Sequence, residues 1–119
     1  MKVAICALSG DIGGGVDARF GRAAFFAVYD TDASSWQVLQ NRAGADSEQG
    51  AGIQAALLLA QHGVTAMVTG HCGPKAYIAL STGGITVSLT DCTDVKAALA
   101  AYLCGSLRLL TAPDVQSHW

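Results

Sequence analysis

An α/β fold, built on a five-stranded mixed sheet with helices on both faces, is the architecture this sequence predicts. Three observations carry it. The 119-residue chain is 51% hydrophobic, enough to bury one core without disulfides or a structural metal. Its early apolar runs are short and separated by polar turns, whereas its later runs alternate with segments of helical period. Glycine or proline punctuates the changes of period. Residues 1–119 read as a single domain with no repeat and no low-complexity linker.

The elements follow in order. Residues 2–8 form a buried first strand, cut off by Gly10 and Asp11. Residues 24–29 and 36–40 form two more, paired as a hairpin through the polar turn Asp30-Thr31-Asp32-Ala33-Ser34. From Ser47 the period becomes helical: Ile53, Ala56, Leu57 and Ala60 recur at i, i+3, i+4 and i+7, and Gly63 stops the helix after His62. A strand over 65–69 follows, then a helix from Pro74 to about Ser81, a Gly83-Gly84 break and a strand over 86–89. The last helix, 93–102, sets Val95, Ala98, Leu99 and Tyr102 on one side. The order βββαβαβα makes an antiparallel hairpin early, and right-handed crossovers late lay the later strands parallel to the first. Loops 9–22, 70–75 and 90–93 then emerge at one edge, where they are expected to share one cleft.

Composition excludes several functions. With a net charge of -2 and 13% charged residues, the chain has no polybasic footprint, so no nucleic-acid partner is expected. No apolar run reaches membrane-spanning length, and the N-terminal run is too short for a signal peptide, which makes the cytoplasm the default; a monomer is expected. Cys6, Cys72, Cys92 and Cys104 include no Cys-x-x-Cys pair, against both a secreted disulfide framework and a zinc knuckle.

The most informative stretch is Thr69-Gly70-His71-Cys72-Gly73-Pro74-Lys75-Ala76. It places an imidazole and a soft sulfur on a glycine-flanked loop at the carboxyl end of a buried strand, where open α/β sheets bind ligands. Proline at the first helical position sacrifices only an N–H that has no partner anyway, and the rest of that turn offers donors suited to an anion. Arg19 and Arg22 belong to the same edge, as do the Gly10–Gly15 run, Lys75 and Cys92. Gly50 and Gly52 weaken a helix start, so close backbone approach is their expected purpose.

Asp17-Ala18-Arg19-Phe20-Gly21-Arg22 with Phe25-Phe26 and Asp30, Gly50-Ala51-Gly52-Ile53-Gln54-Ala55-Ala56, and Gly70-x-x-Gly73-Pro74-x-Ala76 together resemble the dinitrogenase iron-molybdenum cofactor biosynthesis family over essentially the whole chain. The terminal Ser117-His118-Trp119 is similar to many members. The family includes NifX-like and NafY-like carriers, the C-terminal part of NifB and small orange proteins carrying a molybdenum-copper sulfide cluster. The chain's size looks most similar to the last of these. The resemblance implies a ribonuclease H-like fold, a bound preformed metal-sulfur cluster (molybdenum-copper sulfide, or alternatively iron-molybdenum or iron-sulfur) and protein partners in cofactor delivery. No radical-SAM Cys-x-x-x-Cys-x-x-Cys segment accompanies it.

Such a cluster is a bulky polarisable anion whose metals are saturated by sulfide, so amides and arginines suffice to hold it non-covalently. Arg19 and Arg22 would donate to sulfide, Phe20 would cover an apolar face, and Gly21, Gly50, Gly52, Gly70, Gly73, Pro74 and Lys75 would shape and charge the cleft. If a bond to metal is made, Cys72 is the best ligand, with His71 beside it. The bland reading makes Cys72 a small loop residue, His71 a hydrogen-bonded side chain and the arginines partners of Asp17 and Asp30. Carriage without catalysis is the expected function. Its competitors are a thiol-based redox or sulfur-transfer enzyme using Cys72, which a helix N-terminus would activate, and a module sensing an anionic metabolite. A two-metal nuclease is disfavoured because the first strand carries Cys6 and no carboxylate.

Overall fold

The computed structural model describes residues 1–42 and 50–112. The expected helix start at Ser47 and the terminal Ser117, His118 and Trp119 lie outside those residues. The elements are β1 (Lys2–Ala7), β2 (Phe25–Asp30), β3 (Ser35–Gln40), α1 (Ala51–Gln61), β4 (Ala66–Thr69), α2 (Pro74–Thr82), β5 (Thr86–Leu89), α3 (Val95–Leu103) and β6 (Arg108–Leu110). They build one mixed sheet in the order β3-β2-β1-β4-β5-β6. β2 is antiparallel to β1 and β3, whereas β1, β4 and β5 run parallel.

The strand count corrects the sequence expectation of five. After α3, Gly105 at φ 77° turns the chain back, and β6 pairs antiparallel with β5, Leu110 opposite Val87. Only one of its three residues, Leu110, is buried, so no alternation announces it.

β1 is the spine. Its successive side chains point to opposite faces: Ala4 and Cys6 join a core with Ala55, Ala56 and Leu59 of α1 and Leu80 of α2. Val3, Ile5 and Ala7 join a second core with Val95, Ala98 and Leu99 of α3. Helices therefore cover both faces, as expected.

The buried stripe of α1 is a second correction. Ile53 and Leu57 are 51% and 53% exposed, while Ala55, Ala56 and Leu59 are buried. The inward set is Gly52, Ala55, Ala56 and Leu59, the same i, i+3, i+4, i+7 spacing begun one residue earlier. Gly52 decides this, because a Cβ there would lie 2.7 Å from the Cβ of Ala76; α1 is laid against α2 by its smallest residues.

Candidate anion-binding site

Beyond β1 the chain wanders through residues 8–24 before returning as β2, and side-chain and backbone bonds fix this excursion. The carboxylate of Asp17, only 6% exposed, accepts the backbone N–H of Arg19 at 2.9 Å and stands 3.5 Å from its Nε. Ala18 then offers its carbonyl to the N–H of His71 at 2.8 Å, and the Thr69 hydroxyl reaches the same oxygen at 3.3 Å. This contact needs glycine at position 70, since a Cβ there would come 2.9 Å from that of Ala18. Gly21 repeats the device against the start of α1: its Cβ would lie 2.8 Å from the backbone nitrogen of Gly52. Gly21, Gly52 and Gly70 thus let the arginine loop, the loop after β4 and the first turns of α1 and α2 meet backbone to backbone.

The space between them is a cavity of ≈ 330 Å³. Arg19, Arg22, His71 and Lys75 line it together with Phe20, Gly21, Gly50, Ala51, Gly52, Ile53, Gly73 and Ala76, and among the described residues no carboxylate does. Two helices begin on this wall. α1 starts from Gly50 at φ 75° and α2 from Gly73, and neither glycine supplies a side-chain acceptor to the first turn of its helix. The first-turn N–H groups of both helices have no intrahelical acceptors, and their dipoles add positive potential to that of the side chains. Phe20 is buried beneath, its ring centroid 5.7 Å from that of Phe26.

Of the site residues expected from sequence, Arg19, Phe20, Gly21, Arg22, Gly50, Gly52, His71, Gly73 and Lys75 come together at the cavity. Gly70 lies below, packed on Ala18, and Pro74 opens α2. Cys72 does not reach the wall: it is 1% exposed, belongs to the core under α1 and α2, and its Sγ lies 3.9 Å from the Gly73 carbonyl. Among the described residues no three His, Cys, Asp or Glu side chains gather as a metal site.

The single shared cleft is also corrected. Gly14 accepts the N–H of Val95, Gly15 bridges Asp94, and Cys92 packs with the α3-side core, so the Gly10–Gly15 run and Cys92 close the opposite face of the sheet. Their loops do leave the same edge, but the sheet divides them. Sequence reasoning missed Ala51, Ile53 and Ala76 on the wall. Ala51 lies between Gly50 and Gly52 and Ala76 follows Lys75, all three already singled out, whereas nothing in the sequence marks Ile53 as outward-facing.

Fold and site together define a small α/β protein with a cationic cavity at two uncapped helix N-termini. Residues 1–105 match the dinitrogenase iron-molybdenum cofactor family, and the chain belongs to it. Its structure is similar to that of the apo form of the orange protein from Desulfovibrio gigas, with 37% identity, 95% of each chain covered and a TM-score of 0.89. It is also similar to a Thermotoga protein provisionally assigned as NifB, with 28% identity, 98% of each chain covered and a TM-score of 0.85. A Methanocaldococcus jannaschii protein provisionally assigned as a dinitrogenase shares the fold at 19% identity, with 95% of this chain and 97% of that one covered and a TM-score of 0.69. No match is found among curated proteins. Among the described residues no helix is long and apolar enough to cross a membrane.

Proposed function

We propose that this protein binds and carries a preformed anionic metal-sulfur cluster in the cavity, without turning it over, as a monomer on a ribonuclease H-like scaffold, and passes it to a protein partner. One observation carries the reading: two helix N-termini that begin at glycine, together with Arg19, Arg22, Lys75 and His71, line a space that among the described residues no carboxylate lines. An uncapped helix end and a guanidinium both donate N–H groups to diffuse negative charge, and sulfide on a saturated cluster is such an acceptor. The burial of Cys72 supports amide and arginine anchoring over a thiolate bond, and equally weighs against a thiol enzyme. The sequence resemblance to small orange proteins that carry a molybdenum-copper sulfide, with which the 37% identity to an apo orange protein agrees, favours that cluster as cargo; the family's description keeps an iron-molybdenum cluster as the alternative.

The test is reconstitution with tetrathiomolybdate and copper(I), followed by gel filtration with metal and sulfide analysis. Colour, molybdenum, copper and sulfide should elute with folded protein. Arg22→Ala should weaken retention about tenfold, and Arg19→Ala somewhat less because Asp17 already engages it, with little loss of stability from exposed loop cations. Cys72→Ala should retain the cluster. Metal eluting apart from folded protein sinks the molybdenum-copper reading, and loss of metal in a folded Cys72→Ala protein sinks the non-covalent one.

A further inference from the structure

A single side chain holds both carbonyl groups that bracket Arg22. Asn41, one residue beyond β3, donates from Nδ2 to the carbonyl of Gly21 at 3.2 Å and to that of Ala23 at 2.8 Å. Its own backbone N–H bonds the carbonyl of Ala24 at 2.9 Å. Both side-chain partners are acceptors only, so the atom facing them has to be the nitrogen. Asn41 is 1% exposed. A carboxamide buried this deeply is costly unless it is hydrogen-bonded, and Asn41 spends both of its N–H donors on the arginine loop.

The consequence falls on the cavity. Gly21 lines it and Arg22 lies between the two bonded carbonyls. A peptide carbonyl turned into the cavity would repel the same anion that the arginine attracts. We infer that Asn41 is a positioning residue for the anion site: by drawing the Gly21 and Ala23 carbonyls toward β3, it fixes the turn that presents Arg22 and keeps their negative ends off the ligand. This inference rests on the anion-carrier reading.

Tetrathiomolybdate alone is the probe, titrated into wild type, Asn41→Ala, Asn41→Ser, Arg22→Ala and the Arg22→Ala/Asn41→Ala double variant, each below its melting temperature. Asn41→Ala should lose about tenfold in affinity, the scale of one charge-assisted hydrogen bond. Asn41→Ser, which keeps one donor, should fall between it and wild type and serves if the alanine variant does not fold. Because Asn41 acts through Arg22, the double variant should bind scarcely worse than Arg22→Ala. Leu110→Ala, which opens the core at the far edge strand, controls for stability and should bind as wild type does. Additive losses, an equal loss in Leu110→Ala, or wild-type affinity in folded Asn41 variants would each overturn the inference while leaving the carrier reading intact. Wild type that binds no thiomolybdate would sink both.

Discussion

Among the described residues three helices start at one edge of the sheet, and they finish their N-termini in opposite ways. α3 is closed by its own chain: Asp94 accepts the N–H of Lys96 on its side chain at 3.3 Å, and Gly14 accepts that of Val95 at 3.1 Å. α1 and α2 begin instead from Gly50 and Gly73 with no side-chain cap, and both open onto the cationic cavity. Replacing glycine by serine, asparagine or aspartate at a cap is worth a few tenths of a kcal/mol. That small gain is forgone at both ends where an acidic or hydroxyl cap would take up the donors an anion needs. On the proposed carrier reading, the same structural element that serves as a folding device on one face of the sheet serves as a binding device on the other.

The sharpest way to break this contrast is to separate the two bare ends. Gly52→Val forces a side chain into the space where a Cβ would already sit 2.7 Å from Ala76 Cβ and 3.1 Å from its Cα. Overpacking of this kind costs about 1–3 kcal/mol, and α1 must swing away from α2. Chemical denaturation should report the loss, and thiomolybdate binding should disappear in the surviving folded fraction. Unchanged binding in Gly52→Val would mean that the two helix ends do not act jointly.

Much of this arrangement was legible. Arg19, Arg22 and Lys75 announce positive charge in an acidic chain, and Gly-Pro before a helical period announces a bare helix start. What stayed hidden depended on which way side chains face. Ile53 and Leu57 look like core because they are large, yet Gly52 and the three buried residues of α1 take the inner side, since contact with α2 rewards small residues there. Cys72, adjacent to His71, reads as a loop ligand; yet His71 lines the cavity while Cys72 is buried in the core. β6 was invisible because one buried residue makes no pattern.

The closed helix end offers the mirror-image experiment. Asp94→Ala removes the α3 cap and should cost about 1 kcal/mol or less, given its long 3.3 Å bond. Thiomolybdate affinity should not change, because the α3 terminus lies across the sheet from the cavity. A matching fall in affinity would show that the edge behaves as one cationic surface and that the contrast between the faces is false.

The smallest effect concerns the strand that separates the two faces. Cys6 points toward the cavity side of β1, fully buried, with Met67 Sδ 3.8 Å from its Sγ. Burial pushes its thiol pKa far above the usual 9.0, and the Asp17 carboxylate pushes the same way, outweighing a hydrogen bond with Thr69. The folded chain therefore holds a proton that the unfolded chain releases above 9.0, so the stabilisation is intact below that pH and declines as pH rises. At half a unit above that onset the loss should remain under about 1 kcal/mol. The measurement is the stability gap between wild type and Cys6→Ala in urea, followed from neutral into mildly alkaline buffer. The gap should narrow once the unfolded thiol ionises. A constant gap would mean that the folded protein accepts a thiolate beneath the cavity, which requires the potential of the arginines and bare helix ends to reach through the floor and outweigh both burial and Asp17.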